Sequence, residues 1–393
     1  MRLAALALLL LATPASAETL SAEIAHDGLA KVEARLAALP APTAEEVFGL
    51  GGVQFLRAVE ISFQDRWAAG LTDRTGMLPF LRLPLQDNPK PAAFDPSAVV
   101  NVFVHAGDKL ATAKATLASL PDSAEFGLEI ALDDLWFDVN ANGTRDGGEG
   151  IADILGAAVF GSQTTTLPTI RFDTADAAWL SAYADLLMAI CDLVRAYDPT
   201  EPLTRIASAR EAIAKLGPLY PDMILGGNDP ARLDTIDLLA VIVASLQQQP
   251  DKARMASAHD HLQAMVDENR AFWARVEKET DDDREWLPND RQHAALGIEV
   301  PQGTGAHWQA VLADIESVLK GEKLLPYWRA GEPAGFNLAK WFDNPGPIDL
   351  AGWIQGWAVL PYLEKGTVIG PDSLWAFDRL TQGQSMLFAL YLN

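Results

Sequence analysis

Residues 138–150, DVNANGTRDGGEG, set oxygen-bearing side chains at Asp138, Asn140, Asn142, Asp146 and Glu149, with a glycine at Gly143 between them. Carboxylate and amide oxygens at alternating positions are hard donors, and a chain that wraps on itself can present them from several sides. Thr144 would add its backbone carbonyl. Calcium takes six to eight such oxygens around a sphere, whereas magnesium demands a near-octahedral cage and fits such a loop poorly. Gly143 suits the sharp turn, because glycine adopts positive φ at no steric cost. The competing reading of the same residues is a polar Asn-Gly turn.

Counted from Asp138, the oxygen donors fall at the first, third, fifth, seventh, ninth and twelfth places, with glycine at the sixth. This pattern resembles the twelve-residue loop of EF-hand proteins at every ligand position. The resemblance implies a calcium site made by Asp138, Asn140, Asn142, Thr144, Asp146 and Glu149, with Glu149 closing the sphere. It covers twelve of 393 residues. Two features depart from it. Arg145 stands where an aliphatic residue normally pairs with a second hand, and Gly150 stands where an apolar residue normally opens the exiting helix. The segment leading into the loop also reads as strand. A calcium loop of the EF-hand kind set in another scaffold is therefore expected, similar to loops of dockerin modules and of repeat domains in bacterial surface proteins.

Other chemistry is sparse. The sequence has no HExxH zinc-protease motif, Walker loop or dinucleotide fingerprint. GLGGVQF has the wrong glycine spacing for phosphate, and GQSML around Ser385 lacks the second glycine of a nucleophile elbow. His259 and His261, two apart on a helix, point in different directions and read as surface residues. Asp283 with Glu285, and Asp234 with Asp237, read as solvated caps or charged faces rather than a glycosidase pair. No catalytic residue is assigned.

Composition bounds the rest. Thirty basic against 53 acidic residues give a formal charge of −23, which repels nucleic acid and anionic lipid and attracts cations. With 49% hydrophobic residues and eleven tryptophans the chain is not of disordered composition. Cys191 is the single cysteine. Within LLMAICDLV it reads as a buried apolar thiol, and no intramolecular disulfide is open to it. At the N-terminus Arg2, the apolar run Leu3–Leu11 and Ala15-Ser16-Ala17 read as a secretory signal peptide, residues 1–17. No later uninterrupted apolar run reaches 18 residues, so no stable membrane insertion is expected.

Most segments have helical period. Ile24, Leu29, Val32 and Leu36 lie near one face, and Thr43 with Glu46 forms a capping box that opens a second helix. Residues 71–94, proline-rich, read as a surface excursion, and Asp95-Pro96 starts another helix. Alternation in FGLEIALDD and the extended LPTIRF read as strands. Trp179, Tyr183, Leu186, Ile190, Val194 and Tyr197 form a helical stripe. A helix opens at Asp229-Pro230. Another spans 252–279 with Met255, Leu262, Met265, Val266, Trp273 and Val276 inward. A third spans Thr304 to Lys320. ETDDDREWLPND reads as a solvated connection, and the five tryptophans after residue 321 as core. No internal repeat supports a solenoid. The expected fold is mainly α: a multi-helix globular protein with an N-terminal helical region at 18–122, a strand and calcium-loop insertion at 123–172, and a helical region at 173–393.

Together these features point to an exported, periplasmic or extracellular, calcium-binding helical protein. Its role would be binding or structural in the cell envelope, its partners calcium and a ligand or envelope protein that the sequence does not specify. The alternative is a periplasmic hydrolase working through paired carboxylates. Export predicts that the intact mass of the secreted protein matches a chain starting at Glu18. Full-length protein retained in the cytosol would contradict it.

Overall fold

Helix α1 (Leu20–Ala37) buries Ile24, Leu29, Val32 and Leu36, the face its periodicity predicts. The computed structural model describes residues 19–72, 78–121, 123–154, 167–217, 230–383 and 385. The expected signal peptide lies outside these residues, as does Asp229. At Gly28 (φ 77°) α1 kinks where the Trp136 indole passes, and a Cβ there would lie 2.8 Å from Trp136 Cζ2. The indole N–H donates to the Ile24 carbonyl at 2.9 Å.

The capping box of Thr43 and Glu46 opens α2 (Ala44–Ala69), which ends on left-handed Gly70. Such caps typically contribute ~1 kcal/mol each. The mid-helix glycines have separate explanations. Side chains, not another backbone, approach two of them: a Cβ at Gly49 would meet Leu20 Cδ2 at 2.7 Å, and one at Gly51 would meet Leu117 Cδ2 at 2.6 Å. The excursion after α2 is anchored rather than merely superficial. Phe80 is buried, and buried Arg66 donates to the carbonyls of Phe80 (2.8 Å) and Leu83 (3.0 Å). Helix α3 (Ala98–Leu117) begins just beyond Asp95-Pro96, whose aspartate accepts from the Ser97 amide at 2.9 Å.

Strands β1 (Leu128–Ala131) and β2 (Thr169–Phe172) pair antiparallel, Leu128 opposite Phe172 and Ala131 opposite Thr169. A capping box of Asp173 and Asp176 then opens α4 (Thr174–Ala196). By length and composition α4 is apolar enough to cross a membrane, but 72% of its apolar window is buried inside the protein. The expected stripe of α4 is revised. Leu186, Ile190 and Val194 are only half-buried, while Leu187, Met188 and Cys191 are fully buried, so the helix is covered around most of its circumference. A helix apolar on all sides has no solvent face to offer.

Helices α5 (Thr200–Ala214) and α6 (Pro230–Leu246) pack on each other, and Arg210 clamps Asp234 (3.0 Å) and Asp237 (3.3 Å) across them. Helix α7 (Lys252–Val276) turns Met255, Val266, Trp273 and Val276 inward, and α8 spans Thr304–Leu319. Beyond it come β3 (Leu325–Pro326), β4 (Ala334–Phe336), α9 (Leu338–Asp343), α10 (Leu350–Gln355), β5 (Leu363–Lys365) and α11 (Asp372–Leu380), with β4 central in an antiparallel sheet. In the layered order α3 lies between α2 and α4, α7 covers α4, α8 covers α7, and α11 covers α8. One continuous apolar core runs through all three regions of the sequence, and Phe336, Val359 and Tyr362 form a small second one. The protein is thus mainly helical with small antiparallel sheets.

Three further sequence expectations need correction. Trp328 is 70% exposed, and Trp357 and Trp375 are 58% exposed, because the short C-terminal elements enclose too little volume for five indoles. ETDDDREWLPND is not wholly solvated: Glu285 and Leu287 are buried, and the Arg284 carbonyl accepts from the Arg171 amide at 3.1 Å. His259 and His261 do diverge, but both make contacts to the interior. His259 stacks on Phe342 at 4.8 Å and contacts the Leu319 carbonyl at 2.8 Å. His261 Nδ1 lies 2.8 Å from Asp185 on α4, which is fully buried and also paired with Lys114. His261→Ala strips one partner from a buried carboxylate and should cost about 1–3 kcal/mol. Urea unfolding measures this; an unchanged midpoint would mean that Lys114 alone satisfies Asp185.

Candidate metal loop and the carboxylates around it

The loop is closed at its base by main chain. The Phe137 amide donates to the Glu149 carbonyl (2.9 Å) and the Ile151 amide to the Leu135 carbonyl (3.0 Å), with Trp136 bridged antiparallel to Gly150. Leu135, Trp136, Phe137, Val139 and Ile151 are all buried, so apolar flanks hold the two ends together while the polar residues between them curl outward.

Inside the curl, amides point at side-chain oxygens. Asp138 accepts the Asn142 amide on one oxygen (2.9 Å) and the Gly143 amide on the other (2.8 Å). The Asn140 carbonyl oxygen shares the Asn142 amide (3.0 Å), and the Asn142 oxygen takes the Thr144 amide (2.8 Å) and hydroxyl (2.6 Å). Ala141 (φ 57°) and Gly143 (φ 76°) are left-handed, which the tight curl requires. The side-chain nitrogens of Asn140 and Asn142 both donate to Asp146 Oδ2, at 2.8 and 2.7 Å. Glu149 is 3% exposed and accepts from the amides of Val139 (2.9 Å) and Asp146 (2.7 Å). Burial pushes its carboxyl up, against those amides, and the charges of Asp138 and Asp146 push it further. The six residues expected from the sequence are thus joined in one hydrogen-bonded ring, with Thr144 on its exposed side. Among the described residues no three Asp, Glu, His or Cys side chains converge as a metal-holding group. Within the ring the two asparagines link Asp138 to Asp146, and the Asp146 main-chain amide links on to Glu149.

The departures from the EF-hand pattern have local causes. Arg145 turns back to donate to the Asp133 carbonyl (3.2–3.3 Å). A Cβ at position 150 would lie 2.9 Å from its Nη2, so Gly150 leaves room for that guanidinium. Helical backbone follows at 151–154.

Three residues that motif reading missed hold the loop against the scaffold. From α2, the Glu60 carboxylate accepts the Asp138 amide at 3.1 Å and Gln64 donates to the Asp138 carbonyl at 2.8 Å. From the excursion, Gln86 donates to the Gly147 carbonyl at 2.6 Å. Glu60 is 1% exposed and ion-paired to Arg57. Burial pushes it up to about 7, against the pull of Arg57. A buried charge between Ala58 and Phe63 on a core helix is the sequence signal that could have identified it, since unpaired charges are almost never fully buried.

A second set of carboxylates lies where α4 begins and the acidic connection folds back. Asp173 and Asp176 cap α4, each accepting main-chain amides. Glu279 accepts from Gln292 (3.2 Å) and Glu285 from the Asp283 amide (2.8 Å). Burial is the chief cause that raises all four, Asp176 well above the usual carboxylate range and Glu279 to about 7. Mutual repulsion adds to it: Asp173, Asp281 and Glu285 all act on Glu279. Cys191, by contrast, is an inert buried thiol, pushed up to about 12.

A carboxyl that holds its proton more tightly folded than unfolded stabilises the folded state while protonated. For Glu279 that contribution is fully present below about 4.5 and is lost as pH rises through about 7. Denaturation midpoints should therefore fall between pH 5 and pH 8, and Glu279→Gln should flatten the decline. A wild-type midpoint that rises over this range would contradict the assignment.

Comparison with protein-family models, curated proteins and solved structures yields no match, so the chemistry of these sites carries the functional argument.

Proposed function

We propose that residues 138–149 bind one calcium ion, and that the protein is an exported helical protein with a binding or structural role in the cell envelope, braced by that ion. The observation that supports this reading is the curl itself. Asp138, Asn140 and Asn142 turn their oxygens onto successive main-chain amides. An sp² oxygen has two lone pairs, so the Asp138 and Asn140 oxygens keep acceptor capacity for a cation, and the Asn142 oxygen would exchange the Thr144 hydroxyl for it. Asp138, Asn140, Asn142, Asp146 and Glu149 would ligate through side chains and Thr144 through its carbonyl. Binding exchanges the asparagine contacts on Asp146 for coordination and neutralises carboxylates that now repel one another. The acidic surface favours cation approach and disfavours nucleic acid.

Three anionic and two neutral side-chain ligands suit the weak affinity of extracellular modules, about 10⁻⁴–10⁻³ M. A single loop has no second hand to open, so calcium acts as a brace rather than a switch. The rival reading, a carboxylate hydrolase, would draw on Asp173, Asp176, Glu279 and Glu285. Their oxygens are given largely to helix capping and to Gln292, which favours a structural role for that set.

At free calcium ten times the dissociation constant, binding restricted to the folded state adds roughly 1.4 kcal/mol. Calcium should raise the melting temperature with far-ultraviolet circular dichroism nearly unchanged, and Asp138→Ala combined with Glu149→Gln should abolish the shift. Terbium emission sensitised through Trp136 reports the site directly. If millimolar calcium moves neither melting nor terbium emission, the loop is only a turn. If calcium exposes a large dye-binding apolar surface, it is a switch.

A further inference from the structure

Between α1, α2, the β1–β2 pair and the first turns of α4 the apolar core is incomplete. A cavity of about 170 Å³ remains there, its walls including Ile24, Phe48, Val53 and Leu128. Asp176 is the one charged residue of its lining, and Trp286 from the acidic connection borders it beside Trp179, ring centres 5.3 Å apart. Protein interiors contain few voids larger than a water molecule. One of ~150 Å³ lined by apolar side chains stays dry and accepts benzene. The space here is therefore that of a molecule of about seven non-hydrogen atoms.

One further observation points to an occupant. Gly52 lines the cavity in the interior of α2, where glycine is less favourable than alanine. Unlike Gly49 and Gly51 it has no atom within 4 Å of the place its Cβ would take, and its φ is not positive. Neither packing nor backbone conformation requires a glycine there; what its missing side chain provides is room. Although Asp176 and Trp286 border the cavity, their polar atoms are turned away and the surface it presents is apolar, so a polar group on an occupant would be buried there without a partner.

We propose that this cavity binds a small, uncharged, apolar molecule of about seven non-hydrogen atoms. The proposal goes beyond the calcium reading and does not depend on it. Half-buried Gly52, Leu56 and Trp286 along the lining give the cavity its access to solvent.

Cyclohexanol, methylcyclohexane and cyclohexylamine match in size and differ in their polar group. Calorimetric titration of the full protein should show saturable binding of methylcyclohexane, about tenfold tighter than cyclohexanol, whose hydroxyl would be buried unpaired, with cyclohexylammonium weaker still. Gly52→Leu should abolish binding while leaving the melting temperature unchanged or raised, since leucine favours helix. That separates a filled cavity from a damaged fold. The proposal is overturned if methylcyclohexane does not bind, if cyclohexanol or the ammonium binds as tightly, or if Gly52→Leu binds as the wild type does.

Discussion

The structure is organised by the need to keep water off α4. A helix of 23 residues, apolar enough by length and composition to cross a membrane, leaves little surface that suits water, so other elements must cover most of its circumference. Helix α3 covers one flank and α7 another, and Trp286 closes on the ring of Trp179 near its start. At its far end Tyr197 donates to the Gly346 carbonyl at 3.2 Å, tying in the C-terminal region. Fully burying a large apolar side chain contributes about 1.5–3 kcal/mol, and α4 carries several.

That wrapping also fixes where polar groups can lie. Asp176, Asp185 and Asp192 are buried on α4, and an unpaired buried charge is strongly destabilising. Asp176 accepts the Asp173 amide at the start of α4 itself, while Asp185 pairs with Lys114 from α3 and His261 from α7, and Asp192 with Arg254 from α7 at 3.1 Å beside Arg195. Asp185 and Asp192 thus restrict how α3 and α7 dock, since a shift of one turn would leave a charge buried and unpaired. Specificity of packing here comes from polar residues inside an apolar assembly.

Local signals were the legible ones. The capping box at Thr43, the alternation of Leu128 and Ile130, and the inward face of α7 depend on neighbours within a few residues, and the chain spells them out. The clustering of the loop's oxygen-bearing side chains belongs to the same class, because one turn of backbone brings 138, 140 and 142 together. What the sequence hid depends on distant pairing. Glu60 and Gln64 meet Asp138 only because α2 passes behind the loop, more than seventy residues away in sequence. His261 reads as a surface residue until α4 presents Asp185. The stripe on α4 misled for a related reason: periodicity finds the exposed side of a helix, and α4 has almost none.

The loop and the cavity share a wall. Leu135 and Ile151, whose main-chain hydrogen bond closes the loop, also line the cavity, as do Leu128, Ile130 and Leu132 just before it. On the polar side the chain between them curls around oxygen donors; on the apolar side it faces Val53 and Trp179. A strand pair of four residues each, with one twelve-residue loop nearby, is too small to hold such a wall rigid by itself. Rigidity has to be imported, and the structure offers it from α2 through Glu60 and Gln64 and from α1 through the Trp136–Ile24 bond. An ion in the loop would add a third restraint on the same backbone. It would act on the volume behind Leu135 and Ile151 without touching it, because whatever fixes the spacing of those two residues fixes one side of the cavity.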